Sequence, residues 1–341
     1  MIQTPEKILV LGAGSWGGAL CKVLHQNGNE VRLWEIDRAE AKRLEQERTL
    51  PGKLDEFKLP EGIQVGSNLG ELVEDATALV FVVPSQFFRS TARSVKEAYG
   101  DEPLPDLMIS CTKGLEQRTF LTMTGVLEVV LGVRNPVALS GPSHAEEVAM
   151  GLPTTVTVAS MDHSLAERPQ TLFNTPTFRV YTAEAPVGVQ LGGALKNVIA
   201  IAAGAASGMG FGDNTMAALV TRGLAEISRL GIAMGADPLT FAGLSGMGDL
   251  IVTCASHHSR NRRMGIALAQ GKTLDQGLKE IGMAVEGVET AKSIRPLVEK
   301  YRVEMPICEQ VARTLFDGVP ATEAVKSLML REPKPERVEG A

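Results

Sequence analysis

Lys196 is the one charged residue in the 28 positions from Ala185 to Gly212, inside the run GGALKNVIAIAAG and next to Asn197. An ammonium group among small and apolar side chains costs free energy unless it is paired, hydrated or put to use. Burial would bring its pKa down toward the range where a lysine can both give and take a proton. Four more polar clusters interrupt apolar or glycine-rich sequence. VPSQ (83–86), TKG (112–114) and SGPS (140–143) each follow a short apolar run. The last pairs GMGDL (246–250) with SHHSRNRR (256–263). Lys113 is a candidate second cation beside Lys196, and Asp249 would oppose the shift while orienting the lysine. Arg260, Arg262 and Arg263, beside Ser259 and Asn261 at an expected helix start, form a candidate phosphate site. Guanidinium groups offer paired donors, and a helix start adds free amide N–H groups.

From Lys7 the chain reads KILVLGAGSWGGAL, in which Gly12, Gly14 and Gly17 follow a strand pattern and precede a helix pattern. In that context GxGxxG predicts a dinucleotide site. Gly12 permits the tight turn, Gly14 lets a pyrophosphate approach the backbone, and Gly17 lets helix and strand pack closely. The second strand runs into Glu35 and Asp37 about twenty residues later, where a carboxylate accepts from ribose hydroxyls and repels a 2′-phosphate. The acids favour NAD over NADP, although Arg38 beside them could still meet a 2′-phosphate.

The elements that must position these groups are legible as patterns. Lys7–Leu11, Val31–Trp34, Ala78–Val83, Leu107–Cys111 and Pro136–Leu139 read as buried strands alternating with helices such as Ala39–Arg48 and Phe87–Ala98. Thr154–Ala159 and Phe178–Tyr181 would extend the sheet edge. VPSQ, TKG and SGPS then fall at successive carboxyl ends, where such sheets bind ligands. Past about Ala185 the pattern turns helical, with expected helices at Thr215–Leu230, Asn261–Ala269, Leu274–Ile281, Thr290–Lys300 and Ile307–Phe316. Arg222 and Glu226 lie four apart on one face of the first of these. The expectation is an α/β fold: an N-terminal Rossmann-like doubly wound sheet over 1–187 and a C-terminal all-α domain over 188–341, with 331–341 a loose tail.

Bulk properties set bounds on function. A net charge of −6 gives no reason to expect a nucleic-acid partner. Four scattered cysteines, without ligand-like spacing to the histidines, favour a reducing compartment and imply no metal. The N-terminus lacks a basic region followed by an apolar core, so a cytoplasmic protein is expected. The segment around Lys196 is the candidate membrane span. Lys196 and Asn197 at its centre, and seven glycines between Gly188 and Gly212, make a tightly packed buried helix the better reading than membrane insertion.

GAGSWG, VPSQ, TKGLE, LSGPSHAEEV, GVQLGGALKNVIAIAAG, GDNTMAALVTRGLAEISRLG, SGMGDLIVTCASHHSRNRRMG and VEGVETAKS occur in this order. From Lys7 to about Leu330 the chain resembles the bacterial NAD(P)-dependent sn-glycerol-3-phosphate dehydrogenases. The resemblance implies interconversion of sn-glycerol 3-phosphate and dihydroxyacetone phosphate for glycerophospholipid synthesis, by a homodimer. It implies that Ser15, Trp16, Ala145, Ala284 and Glu286 contact the cofactor, and that Lys113 touches cofactor and substrate. Gly141, Ser143, Asp249, Ser259, Arg260 and Asn261 match the family's substrate set, with Arg260 also near the cofactor. Lys196 matches the proton donor and acceptor, and Asn197 is grouped with it at the substrate.

Three positions depart from the family pattern. Gly18 stands where threonine is common, His144 replaces a common phenylalanine, and Glu35-Ile36-Asp37 lies where many members carry a histidine or arginine suited to NADPH. Two other functions share parts of this pattern. A β-hydroxyacid or sugar-acid dehydrogenase combines the same two domains and a lysine, but SRNRR and TKGLE weigh against it. A non-catalytic NAD(H)-binding redox sensor would not need Lys113, Lys196, Asp249 and Arg260 together.

Overall fold

The computed structural model describes residues 5–333, 335 and 336. The chain forms two compact units: Met1–Thr112 with Leu121–Pro186, and Lys113–Phe120 with Val187–Ala341. Of the expected tail over 331–341, residues 334 and 337–341 lie outside the described residues.

Among the described residues the first unit has ten strands. They are β1 (Lys7–Leu11), β2 (Glu30–Trp34), β3 (Thr49–Leu50), β4 (Leu54–Lys58), β5 (Gln64–Gly66), β6 (Ala78–Phe81), β7 (Leu107–Ser110), β8 (Val137–Ser140), β9 (Thr154–Ala159) and β10 (Phe178–Ala183). Eight of them form one sheet in the order β10-β9-β8-β7-β6-β1-β2-β5. The chain leaves β1 toward β2 on one side and is carried to β6 on the other, in parallel register, with Leu11 opposite both Trp34 and Phe81. That reversal of strand order creates the crevice where ligands bind in doubly wound sheets.

Alternate side chains of the central strands enter different cores. Ile8, Val10, Val80 and Ile109 pack on one face, while Leu9, Leu11, Leu79, Phe81 and Met108 pack on the other. Both faces are covered, which is why these strands read as unbroken apolar runs. β9 and β10 extend the sheet edge as expected, but β9 runs antiparallel to β8. Apolar periodicity says nothing about direction, and the departure from an all-parallel sheet was not visible in it.

Among the strands, β5 and the β3–β4 hairpin were not expected from the sequence. β5 is a three-residue edge strand beside β2. β3 and β4 form an antiparallel hairpin whose Leu50, Leu54 and Phe57 are buried in the first core. Three apolar residues spread over eight positions make too short a pattern to separate from a loop.

The second unit is helical around the 23-residue helix Pro186–Gly208. This helix is long and apolar enough to cross a membrane, yet 89% of its most apolar window is buried inside the protein. Leu191, Leu195, Val198 and Ile199 are fully covered. The crossing with helix Arg260–Ala269 depends on glycine. A Cβ on Gly204 would overlap the Arg262 carbonyl, and one on Gly265 would overlap the Ile201 carbonyl. The two backbones therefore touch, and the arginine-bearing helix is brought within a residue or two of the Lys196 helix.

Two expectations need correction here. The expected single helix Thr290–Lys300 is two helices, Glu286–Ala291 and Ile294–Tyr301. Pro296 has no N–H for a bond back to Lys292, and it sits in the first turn of the second helix, where that donor is not needed. Glu226 does not simply face Arg222 across one turn of helix Asp213–Ala233. It is buried, and its carboxylate accepts from the Ile307 and Cys308 amides at 2.7 and 3.0 Å, capping helix Pro306–Phe316. Burial pushes its pKa up to about 7, against the pull of those two amides.

Candidate active site

In the first unit, β1 runs into Gly12, whose φ of 120° favours glycine. A Cβ on Gly17 would overlap the Gly12 carbonyl, so the helix Ser15–Gln26 starts directly against the turn. A Cβ on Gly14, the N-cap, would meet nothing within 4 Å. No side chain caps this helix start. Its first amides and the open space over Gly14 therefore suit a dinucleotide pyrophosphate. Ser15 Oγ donates to the Lys53 carbonyl at 3.0 Å, and Trp16 packs against the sheet core.

Glu35 follows directly on β2, and its Oε1 accepts from the Asp37 amide at 3.1 Å. Asp37 is the N-cap of helix Arg38–Glu47 and accepts from the Glu40 amide at 2.9 Å. Each carboxylate has spare acceptor capacity, so both fit ribose hydroxyls at the end of the second strand. The carboxyl ends of β6, β7 and β8 lie side by side, with Thr112 Oγ1 donating to the Val83 carbonyl at 2.7 Å. Beyond β8, Ser143 Oγ donates to the Gly141 carbonyl at 2.9 Å, and Ala145 opens helix Ala145–Met150.

In the second unit, one carboxylate holds two lysines. Asp249, only 1% exposed, bonds Lys196 Nζ through Oδ1 and Lys113 Nζ through Oδ2, the latter at 2.8 Å. Lys196 comes from the central helix, Asp249 from the first turn of helix Asp249–Ala255, and Lys113 from the 113–120 segment. Leu115, buried in the helical core, fixes that segment in place. Lys196 Nζ also donates to Thr253 Oγ1 at 2.7 Å, and that hydroxyl donates to the Asp249 carbonyl at 2.6 Å. Thr253 is four residues past Asp249, one helical turn on, and its i+4 spacing was the signal the sequence reading did not use.

Burial lowers the Lys196 pKa to about 8, opposed by Asp249 and assisted by Lys113. The competition left open by the sequence is thus won by desolvation. Asn197 Oδ1 accepts from Asn261 Nδ2 at 2.9 Å, and Asn261 Oδ1 accepts from the Gly287 amide at 2.8 Å. Asn197 Nδ2 in turn donates to Glu286 Oε2 at 3.4 Å. Burial raises the Glu286 pKa against the opposing fields of Arg260, Lys113 and Lys196. Ser259 is the N-cap of the arginine helix and accepts from the Arg262 amide at 3.2 Å. Arg262 Nη2 donates to Ser207 Oγ at 2.9 Å, so of the three arginines it is partly engaged in the helix crossing. Lys113, Lys196, Asn197, Asp249, Ser259, Arg260, Asn261 and Glu286 are thus held by one unit, with the exposed Ala284 on the approach to Glu286.

Known proteins resemble this chain in both of its units. The N-terminal and C-terminal models of NAD-dependent glycerol-3-phosphate dehydrogenase match residues 7–166 and 186–326. The glycerol-3-phosphate dehydrogenase [NAD(P)+] of Fusobacterium nucleatum is 51% identical over 332 residues, covering 97% of this chain and 98% of that one. That of Pelotomaculum thermopropionicum is 48% identical, covering 95% and 93%. A crystal structure of glycerol-3-phosphate dehydrogenase from Coxiella burnetii superposes with a TM-score of 0.91 at 35% identity, covering 96% and 99%. With both halves matched in order, a parallel-sheet dinucleotide cradle followed by the lysine-bearing helical unit, the chain belongs to the NAD-dependent glycerol-3-phosphate dehydrogenase family.

Proposed function

We propose that the protein reduces dihydroxyacetone phosphate to sn-glycerol 3-phosphate with NADH or NADPH, and runs the reverse reaction, to supply glycerophospholipid synthesis. The observation that carries this is Lys196, buried and tuned to about 8 between Asp249 and Thr253. A nicotinamide cofactor held over the Gly12–Gly17 turn would supply or accept the hydride at C2 of the substrate. The chain's own residues manage the proton and the phosphate.

An ammonium has three N–H donors. Asp249 and Thr253 take two from Lys196, which leaves one for the C2 oxygen of the substrate. In reduction Lys196 gives this proton to the forming alkoxide. The neutral amine keeps its bonds to Asp249 and Thr253 and holds a lone pair where the third N–H was. In oxidation that lone pair takes the C2 hydroxyl proton. Lys113 tunes Lys196 and contacts substrate and cofactor. Ser259, Arg260, Asn261, Asn197, Gly141 and Ser143 hold the phosphate and glycerol oxygens, so remote binding energy places C2 correctly.

Gly12, Gly14, Ser15, Trp16, Gly17, Ala145, Ala284 and Glu286 serve the cofactor, and Glu35 with Asp37 gives NAD the preference. A cytoplasmic homodimer without membrane insertion belongs to the same proposal. The test is absorbance loss on mixing the protein with dihydroxyacetone phosphate and either reduced cofactor. Oxidation with neither cofactor overturns the function, and faster NADPH turnover overturns the NAD preference. Turnover of hydroxy acids instead of the phosphorylated substrate would favour the β-hydroxyacid alternative.

A further inference from the structure

We infer that Lys53, at the tip of the β3–β4 hairpin, is a ligand of the cofactor pyrophosphate, supplied from outside the glycine-rich motif. The inference rests on the dinucleotide reading of the first unit. Lys53 Nζ donates to the Ala13 carbonyl at 3.1 Å, inside the Gly12–Gly14 turn. The Lys53 carbonyl accepts from Ser15 Oγ at 3.0 Å, so main chain and side chain both grip the cradle. Burial of Leu50, Leu54 and Phe57 fixes the hairpin, and Leu50 occupies the space a Cβ on Gly18 would need. Glycine at 18, where the family often has threonine, thus lets the hairpin seat beside the start of helix Ser15–Gln26.

Charge makes the assignment specific. Around the cradle, Glu35, Asp37 and Glu40 are acidic and would repel a pyrophosphate. Arg43 is committed to Glu40 and Glu47 at 2.8 Å each, and through Nη2 to the Thr49 carbonyl at 3.3 Å. Lys53 is 3.8 Å from Glu40, a loose pair, and its side chain keeps about a third of its exposure. Its shortest contact is a neutral carbonyl, which an ammonium exchanges readily for phosphate oxygens. It therefore adds a positive charge beside the Gly12–Gly14 turn, apart from Arg38 at the ribose end.

The test uses the full-length protein and fluorescence titration of NADH and of NADPH. Lys53→Gln should raise Kd about tenfold for both cofactors, the loss of one charge-assisted bond, and should make Kd less sensitive to salt, and Lys53→Arg should restore most of the affinity. An unchanged Kd overturns the inference, as does a loss confined to NADPH, which would put the ammonium on the 2′-phosphate. A second measurement needs no variant. Bound NADH should protect Lys53 of the wild type from an amine-acylating reagent, read by mass spectrometry, and equal labelling with and without NADH overturns it. Wild-type protein that binds neither cofactor would refute the dinucleotide reading itself. Binding by the wild type with an indifferent Lys53→Gln refutes only the role of Lys53.

Discussion

Lys196 lies against Oδ1 of Asp249, a carboxylate 1% exposed, and yet burial still draws the ammonium pKa down to about 8. An isolated ion pair would hold the lysine charged to high pH. Here the same carboxylate is shared with Lys113 through Oδ2. Each lysine thus has only part of one negative charge, and the desolvation of Lys196 prevails. This balance suits a group that must be protonated in one direction of reaction and neutral in the other.

The pH dependence follows with opposite signs. Reduction needs the proton on Lys196, so its rate should fall as pH rises through about 8. Oxidation needs the neutral amine and should rise through the same range. Initial rates in both directions between pH 6 and 10, with thermodynamic drive held constant, would check this. Two profiles bending the same way would remove Lys196 from the proton step.

Lys196→Met removes the proton carrier while keeping the bulk of the stem. Turnover should drop about 10²–10⁴-fold, the usual contribution of a positioned acid or base, with NADH affinity within about twofold of wild type. Asp249→Asn should cost less and should shift the pH profile to lower values, because the charge that opposes desolvation of Lys196 is lost. A profile that stays in place would mean that Asp249 does not face Lys196 in solution.

Much of this was legible in the sequence where a residue's type and its neighbours demanded the same thing. The Gly12-to-Gly17 turn follows from glycine sterics, and Lys196 announced itself as the one charge in a long neutral stretch. Glu226 illustrates the opposite case. Its i–4 neighbour Arg222 offered a local explanation, while its actual partners are amides more than eighty positions away. Lys53 was invisible for a similar reason, since the hairpin that carries it contacts the cradle only in three dimensions. The break at Lys292–Ser293 fits the missing N–H of Pro296, but Pro169 lies inside the continuous helix His163–Phe173, so a proline alone does not mark a break.

The helix crossing at Gly204 should be intolerant of any side chain. Gly204→Ala would set a methyl group against the Arg262 carbonyl and push the arginine helix outward. Overpacking of this kind costs about 1–3 kcal/mol, so the variant should unfold at lower denaturant. It should also show a raised KM for dihydroxyacetone phosphate, because Ser259, Arg260 and Asn261 ride on the displaced element. Wild-type stability in Gly204→Ala would show that the helices are not in backbone contact.

Glu226 gives a prediction about stability that is separate from catalysis. Its pKa is raised to about 7 in the folded protein, above the ordinary value of about 4.3 for an unfolded chain. Between these values the folded state holds a proton that the unfolded state has released, so this residue's contribution to stability falls as pH rises from about 4.5 through 7. Glu226→Gln keeps an acceptor for the Ile307 or Cys308 amide but cannot ionise. The difference in unfolding free energy, wild type minus Glu226→Gln, should therefore decrease across that window and level off above about pH 8. Denaturant titrations of both proteins at pH 5, 6, 7 and 8 would measure it. A difference that stays flat or grows with pH would mean that the amides, rather than burial, dominate the Glu226 carboxyl.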